Sequence, residues 1–329
     1  MSLGRALMPL EAALGGAWSI GEVALSASRL DELRHDPHRE IVLGDIEARG
    51  LHPALEPSSI RMAMDAAGRI EGTNPYARLS GEPSDRILAH LARSRRGPSR
   101  HLVLVCHCYG VPSPALMSRL FGLGELPVDV CTNIMTHHQP GTYPLWPGSG
   151  FTSARLSRFV ENLRSAVSGV RALLEWLVER EGYERVTVLG FSIGGQLALH
   201  LAHSADVDEA ILYCPVTSLH ASATELGLMG RIHRPMRRVF SRFNARFALD
   251  DLVVTEPLRL GLRVDPRDLH VVVQRHDALA PPDQVASIRR RHPEVRWHEL
   301  EGTHLYPDDL AAVHRIVRDV VTGRPSRRA

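Results

Sequence analysis

A doubly wound α/β architecture built on a mostly parallel sheet is the fold class this sequence predicts. Three observations carry it. Short apolar, β-branched runs at 102–106, 186–189, 210–214 and 270–274 read as strands buried on both faces. Helical periodicity fills the intervals, most clearly over 153–180, where Leu156, Phe159, Val160, Leu163, Val167, Val170, Leu174 and Leu177 recur at three and four residues. The run at 186–189 passes directly into Gly190-Phe191-Ser192-Ile193-Gly194. A small, apolar helix comes next (Leu197, Ala198, Leu201, Ala202), of the kind that lies flat on a sheet. In such sheets ligands gather at the carboxyl ends of the strands.

Taken in order, residues 1–40 read as an amphipathic helical segment, with Leu10, Leu14 and Ile20 among polar neighbours and no chemistry attached. Over 41–97, broken alternating runs (Ile41-Val42-Leu43, then Arg69-Ile70-Glu71) separated by Gly, Pro and Asn turns predict edge strands. Residues 87–91 add another before the turn at 96–99. The strand at 102–106 ends in the punctuated loop His107-Cys108-Tyr109-Gly110-Val111-Pro112, and a helix is expected over 115–123. The strand at 128–135 leads into Thr136-His137-His138-Gln139-Pro140 and a loop rich in Gly, Pro and aromatics as far as 150. Thr152 or Ser153 suits the N-cap of the long helix. Pro215 closes the strand at 210–214, the last strand is 296–300, and a helix over 308–322 precedes a disordered tail at 323–329.

Composition bounds the function. With 329 residues, 44% hydrophobic and 23% charged, the chain is an ordinary globular one. A net charge of +2 provides no field that calls for nucleic acid or an anionic membrane. Every basic residue is arginine, a signature of GC-rich bacterial coding rather than of chemistry. Four cysteines make no disulfide framework. In Cys106-His107-Cys108, strand alternation would send both cysteines one way and the imidazole the other. No metal and no cofactor are therefore expected. Glu11 and Glu22 interrupt the mildly apolar start, so neither a membrane span nor a signal peptide is predicted, and the cytoplasm is the default location.

Strand, G-x-S-x-G, helix is a context in which the motif has a mechanism. The turn forces Ser192 into a strained backbone conformation with its hydroxyl clear of the sheet, and the flanking glycines leave room where a Cβ would collide. The N–H of Ile193 then points from the helix start at the place where an oxyanion would form. A serine hydroxyl needs a base, and the base needs a group to hold it. Arg275-His276-Asp277 comes after the strand at 270–274, and Glu301-Gly302-Thr303-His304 after the last strand. His298 within its strand, His314 on the final helix and Asp283 at a helix start read as structural.

With Ser192, Asp277 and His304 in that chain order, residues 100–322 resemble the α/β-hydrolase superfamily. The resemblance implies that Ser192 is the nucleophile, His304 the general base and then acid, and Asp277 the group that orients the imidazole. Some members carry the acid one strand earlier, but here that strand ends in Cys214-Pro215-Val216-Thr217, without a carboxylate. The second oxyanion donor falls to the loop after 102–106. There the family shows His-Gly and this chain has His107-Cys108, so Tyr109 N–H is the first candidate and Cys108 N–H the next. Cys108 lacks a base of its own and is no rival nucleophile. His138, Trp146 and Phe191 are the candidate substrate contacts.

The resemblance also divides the chain. The hydrolase core would be 41–216 with 266–322, and 217–265 would be an inserted helical cap. Within it Met236, Val239, Phe240, Phe243 and Phe247 form an apolar stripe, while Arg238, Arg242 and Arg246 line another face, with Arg231, Arg234 and Arg237 just before. A solvated arginine face is one reading; a surface greeting an acyl group on an anionic carrier such as phosphopantetheine is the other. The implied activity is hydrolysis of a small-molecule carboxylic ester or thioester through an acyl-enzyme. An acyltransferase or cyclising enzyme with the same triad, or a non-catalytic binding protein on this scaffold, are the alternatives.

Overall fold

The β-branched runs assemble into one sheet because each buries side chains on both of its faces. The structure, a computed structural model, describes residues 36–52, 60–76, 78–79, 86–143, 146–151, 156–218 and 253–323. Its strands are β1 (Arg61–Met64), β2 (Arg69–Thr73), β3 (Arg86–Ala92), β4 (His101–Cys106), β5 (Asp129–Ile134), β6 (Arg185–Phe191), β7 (Glu209–Tyr213), β8 (Leu269–Gln274) and β9 (Arg296–Leu300). Among the described residues they form a nine-stranded sheet in the order β1-β2-β3-β5-β4-β6-β7-β8-β9. From β5 to β9 all neighbours are parallel, and β1, β2 and β3 add an antiparallel edge.

Alternation along each strand feeds two cores. In β4, Leu102, Leu104 and Cys106 join one, and Val103 and Val105 the other. On the first face pack α3 (Leu156–Glu181), α4 (Ile193–Ser204) and α5 (Pro282–Arg291), through residues such as Leu163, Leu197 and Ile288. On the second lie α2 (Pro114–Leu120) and α6 (Leu310–Thr322), through Met117, Val313 and Val317. The predicted doubly wound arrangement is therefore present. Each fully buried Leu or Val contributes about 1.5–3 kcal/mol of transfer free energy.

One expectation needs correction. Ile41-Val42-Leu43 is not an edge strand but part of α1 (Arg39–Arg49), which crosses the expected boundary at residue 40. A strand would have put Ile41 and Leu43 on one buried face. The helix instead buries Val42, leaves Ile41 exposed and pairs Asp45 with Arg49 one turn on. The helix after the acid loop takes Pro281 as its N-cap and carries Asp283 exposed in its first turn, in keeping with the structural reading of that residue.

The long helix α3 is buried on its polar side too. Arg164 is fully buried; its guanidinium donates to Asp45 at 2.8 Å and to the carbonyls of Gly50 and Leu51, both at 3.2 Å. Asn162 accepts from Arg78 at 2.8 Å and donates to the carbonyls of Gly150 and Phe151. Segments from before β1, from the β2–β3 connection and from the loop after β5 are thus anchored on one helix. The predicted helical segment over 1–35, the caps Thr152 and Ser153, the arginines and apolar stripe at 231–247 and the tail from 324 lie outside the described residues. No described helix is long and apolar enough to cross a membrane.

Parallel register brings the strand ends to one edge. Cys106 sits beside Gly190, Phe191 beside Tyr213 and Gln274 beside Leu300. The loops leaving these strands therefore emerge on a common rim of the sheet.

Candidate active site

Ser192 stands between β6 and α4 with φ 58° and ψ −118°, a conformation that costs a non-glycine residue about 1–3 kcal/mol. Three hydrogen bonds hold it there. Its N–H donates to Tyr213 O at 3.0 Å, and its carbonyl accepts from Gln196 N–H at 3.2 Å and Val216 N–H at 3.1 Å. A Cβ at Gly190 would lie 2.1 Å from the Gly194 carbonyl oxygen, and one at Gly194 would lie 2.1 Å from Cys106 O and 2.4 Å from His107 O. The loop after β4 therefore rests directly on the start of α4. Gly194→Ala is expected to lower the unfolding free energy by about 1–3 kcal/mol through overpacking, read by urea denaturation. Wild-type stability would mean that this loop yields freely.

Asp277 and His304 come from the loops after β8 and β9 and meet. Both are buried, and the Nδ1–H of His304 donates to Asp277 Oδ2 at 2.7 Å. A carboxylate only accepts here, so the ring proton is on Nδ1 and Nε2 carries the lone pair. The other oxygen, Oδ1, accepts from Leu279 N–H at 2.8 Å and Ala280 N–H at 2.7 Å, a turn that locks the carboxylate in place. The Phe191 ring packs 5.3 Å from the imidazole, centroid to centroid, which sets His304 next to the Ser192 turn.

The first N–H groups of α4, Ile193 included, have no partner within the helix and face negative charge favourably. Across from them the loop 107–110 is braced by two neutral imidazoles. His107 donates from Nδ1 to Cys108 O at 2.7 Å and accepts at Nε2 from Met135 N–H at 3.1 Å. His138 donates from Nδ1 to Thr136 O at 3.0 Å and accepts at Nε2 from Gly110 N–H at 3.1 Å. Burial pushes the two rings down to about 4 and about 3, which keeps both accepting nitrogens unprotonated. Tyr109 fastens the same loop by donating to Gly148 O at 2.8 Å.

These contacts place the three expected substrate residues differently from one another. Both ring nitrogens of His138 are used inside the fold, so it supports the loop. Phe191 is 3% exposed and packs on Phe121, Tyr213 and His304, so it backs the imidazole rather than lining an open wall. Trp146 is half-buried, and its indole N–H is enclosed without a hydrogen-bond partner.

The Cys106-His107-Cys108 run also departs from its expectation. β4 stops at Cys106, the alternation stops with it, and Cys106 and Cys108 fall into opposite cores. Both thiols are pushed up to about 12 by burial, far from a nucleophile's range. His298 stacks on His270 at 5.4 Å, and His314 bonds the Arg119 carbonyl at 3.1 Å.

Two contributors have no role assigned from sequence. Gly302, at φ 145°, turns the chain into His304 where a Cβ would lie 2.6 Å from both Gln274 Oε1 and Tyr306 O. Its carbonyl accepts from His276 N–H at 3.0 Å, which ties the histidine loop to the acid loop. Cys214, fully buried at φ 44°, brings its sulfur beside Asp277 and His304. The signal in the sequence is a small residue, Cys214, at the end of the strand after which some family members carry the acid.

A sequence profile described as the Alpha/beta hydrolase family matches residues 134–327, more than half of the chain. No curated protein sequence matches. Among solved structures, acetyl xylan esterase 1 from Thermoanaerobacterium sp. JW/SL YS485 is similar with a TM-score of 0.56 and 15% identity, over 88% of this chain and 95% of that one. Est1E from Butyrivibrio proteoclasticus, solved with ferulic acid bound, has a TM-score of 0.50 and 15% identity, over 71% and 93%.

Proposed function

Because the chain belongs to the Alpha/beta hydrolase family, we propose that it is a serine hydrolase that cleaves a small-molecule carboxylic ester or thioester through an acyl-enzyme. The observation that carries this reading is the 2.7 Å bond from His304 Nδ1 to Asp277, set beside the strained turn that holds Ser192. It makes Nε2 the basic nitrogen of the ring.

Reaction begins when Ser192 Oγ attacks the acyl carbonyl as its proton passes to His304 Nε2, and Asp277 stabilises the resulting imidazolium. The carbonyl oxygen becomes an oxyanion received by the N–H groups of Ile193 and Tyr109, with Cys108 N–H the other candidate for the second place. Collapse breaks the bond to the leaving alcohol or thiol, which takes the proton from Nε2. Water then attacks the acyl-enzyme, gives its proton to Nε2, and the acid leaves as Ser192 recovers it. Trp146, half-buried in the loop that Tyr109 fastens through Gly148, is assigned to the acyl or leaving-group wall. Esters are put ahead of amides because one of the solved proteins sharing this fold is an acetyl xylan esterase.

The test is fluorophosphonate labelling of wild type and Ser192→Ala, then a chain-length series of activated esters. Labelling confined to wild type is expected, with turnover in the variant lower by a factor on the order of 10⁶. Labelling of neither protein would favour a binding role, and equal labelling would mean that another serine reacts. Partition of the acyl group to added alcohols in preference to water would make the enzyme a transferase.

A further inference from the structure

Three ligand-type atoms from three strand ends converge behind the site. The sulfur of Cys214 after β7, a carboxylate oxygen of Asp277 after β8 and a ring nitrogen of His304 after β9 lie within 4.8 Å of one another. Among the described residues this is the one group of three or more histidine, cysteine or carboxylate side chains so placed. All three are buried. The proposed hydrolysis uses two of them and has no work for the thiol.

We propose that Cys214, Asp277 and His304 form an inhibitory site for a soft divalent cation of the zinc class, and that occupying it switches the hydrolase off. The inference rests on the hydrolase reading for its consequence, though not for the binding itself. One thiolate, one imidazole and one carboxylate are a zinc donor set with a fourth position left for water. Charge favours the same ion. A thiolate and a carboxylate neutralise a dication, so the filled site carries no net charge into a buried place, where an unbalanced ion would be costly.

The geometry predicts how binding inhibits. Bonds of roughly 2.0–2.3 Å in a tetrahedral site set donor atoms about 3.3–3.8 Å apart. The cation draws the sulfur, which lies within 4.8 Å of both partners, in to that spacing, and the 2.7 Å contact between His304 Nδ1 and Asp277 must open. The cation thus inserts between the ring and the carboxylate. The Cys214 thiol proton is lost to solvent, and the ring proton leaves Nδ1 for Nε2 as Nδ1 takes the metal. The lone pair that would accept the serine proton is thereby lost. Three side chains and no redox change account for every atom and charge.

Cadmium reports on such a site directly through its ultraviolet thiolate charge-transfer band. The experiment titrates the full chain with Cd²⁺, then with Zn²⁺, while tracking the band and the rate of fluorophosphonate labelling, in wild type, Ser192→Ala, Cys214→Ser and Cys214→Ala. Wild type is expected to develop the band at equimolar Cd²⁺, lose labelling in parallel and recover it with a chelator. Ser192→Ala should develop the same band. Both Cys214 variants should lack it and need at least tenfold more cation to inhibit whatever labelling each retains. A band that persists in the Cys214 variants would place the cation on Cys106, Cys108 or Cys131 and overturn the proposal. Binding through Cys214 without inhibition in a protein that labels would overturn the regulatory claim. If no protein labels but the band depends on Cys214, the hydrolase reading fails and the cation site stands.

Discussion

An Asp277→Asn variant is expected to keep its fold and lose turnover by about 10⁴-fold, the size of effect seen when a triad acid is made an amide. The fold survives because Asn retains the oxygen that accepts from Leu279 and Ala280 N–H, so the turn stays locked. Its amide NH₂ replaces Oδ2, however, and now offers protons to Nδ1 where the carboxylate accepted one. The imidazole answers by carrying its proton on Nε2, the tautomer that cannot take a proton from Ser192. The loss should fall on kcat with KM little changed, because Asp277 is buried behind the ring and away from substrate. Steady-state kinetics on an activated ester, with melting temperature as the control for folding, reads both parts. A loss of less than tenfold would mean that the imidazole keeps its orientation without the carboxylate.

Acid should unfold the protein at about pH 5, well above the range where carboxylate titration alone does so. Burial holds His52, His101 and His138 down to about 3 and His107 to about 4, and it lowers His200 and His203 as well. The native rings are neutral where the unfolded ones, with an ordinary value of 6.5, take up protons. Between those limits the unfolded chain binds more protons, so the stability present above about pH 6.5 is lost as pH falls. Each ring gives a slope approaching about 1.4 kcal/mol per pH unit, and several together rival the whole stability of a domain. His107 and His138 make the cost specific, since protonating either accepting nitrogen breaks the bond to Met135 or Gly110. Melting temperatures from pH 7.5 to 4.5 should fall steeply below pH 6.5. A flat profile down to pH 5 would show that these rings are charged or hydrated in the native state.

The sheet was legible because buried parallel strands are near-continuous apolar runs, and β4, β6, β7 and β8 each announce themselves that way. The nearness of Asp277 and His304 was legible for a topological reason: each comes just after a strand, and parallel strands release their outgoing loops on one edge. The failures came from a run too short to show a period and from positions at or beyond a strand's end. Ile41-Val42-Leu43 is too short to separate the two periodicities, and it lies in α1, whose Val42 and Ile46 join the core on the first face of the sheet. Cys108 lies just past the last hydrogen-bonded residue of β4, where alternation no longer says which way a side chain points. His138 follows β5 and Phe191 ends β6 on the edge that carries the site, yet proximity says nothing about which side of the wall a ring occupies. That is decided by partners such as Thr136, Gly110 and Tyr213, far apart in the chain.

The buried guanidinium of Arg164 bears on where this protein can be cut. The family profile begins at residue 134, which invites an expression fragment trimmed toward that point. Yet the counter-charge and two of the acceptors that make Arg164 tolerable come from Asp45, Gly50 and Leu51. Trimming them away would strand a cation in the interior at a cost of about 3–5 kcal/mol, a large share of what holds a domain together. The unit that folds is larger than the unit that kinship marks, and its minimum begins no later than α1.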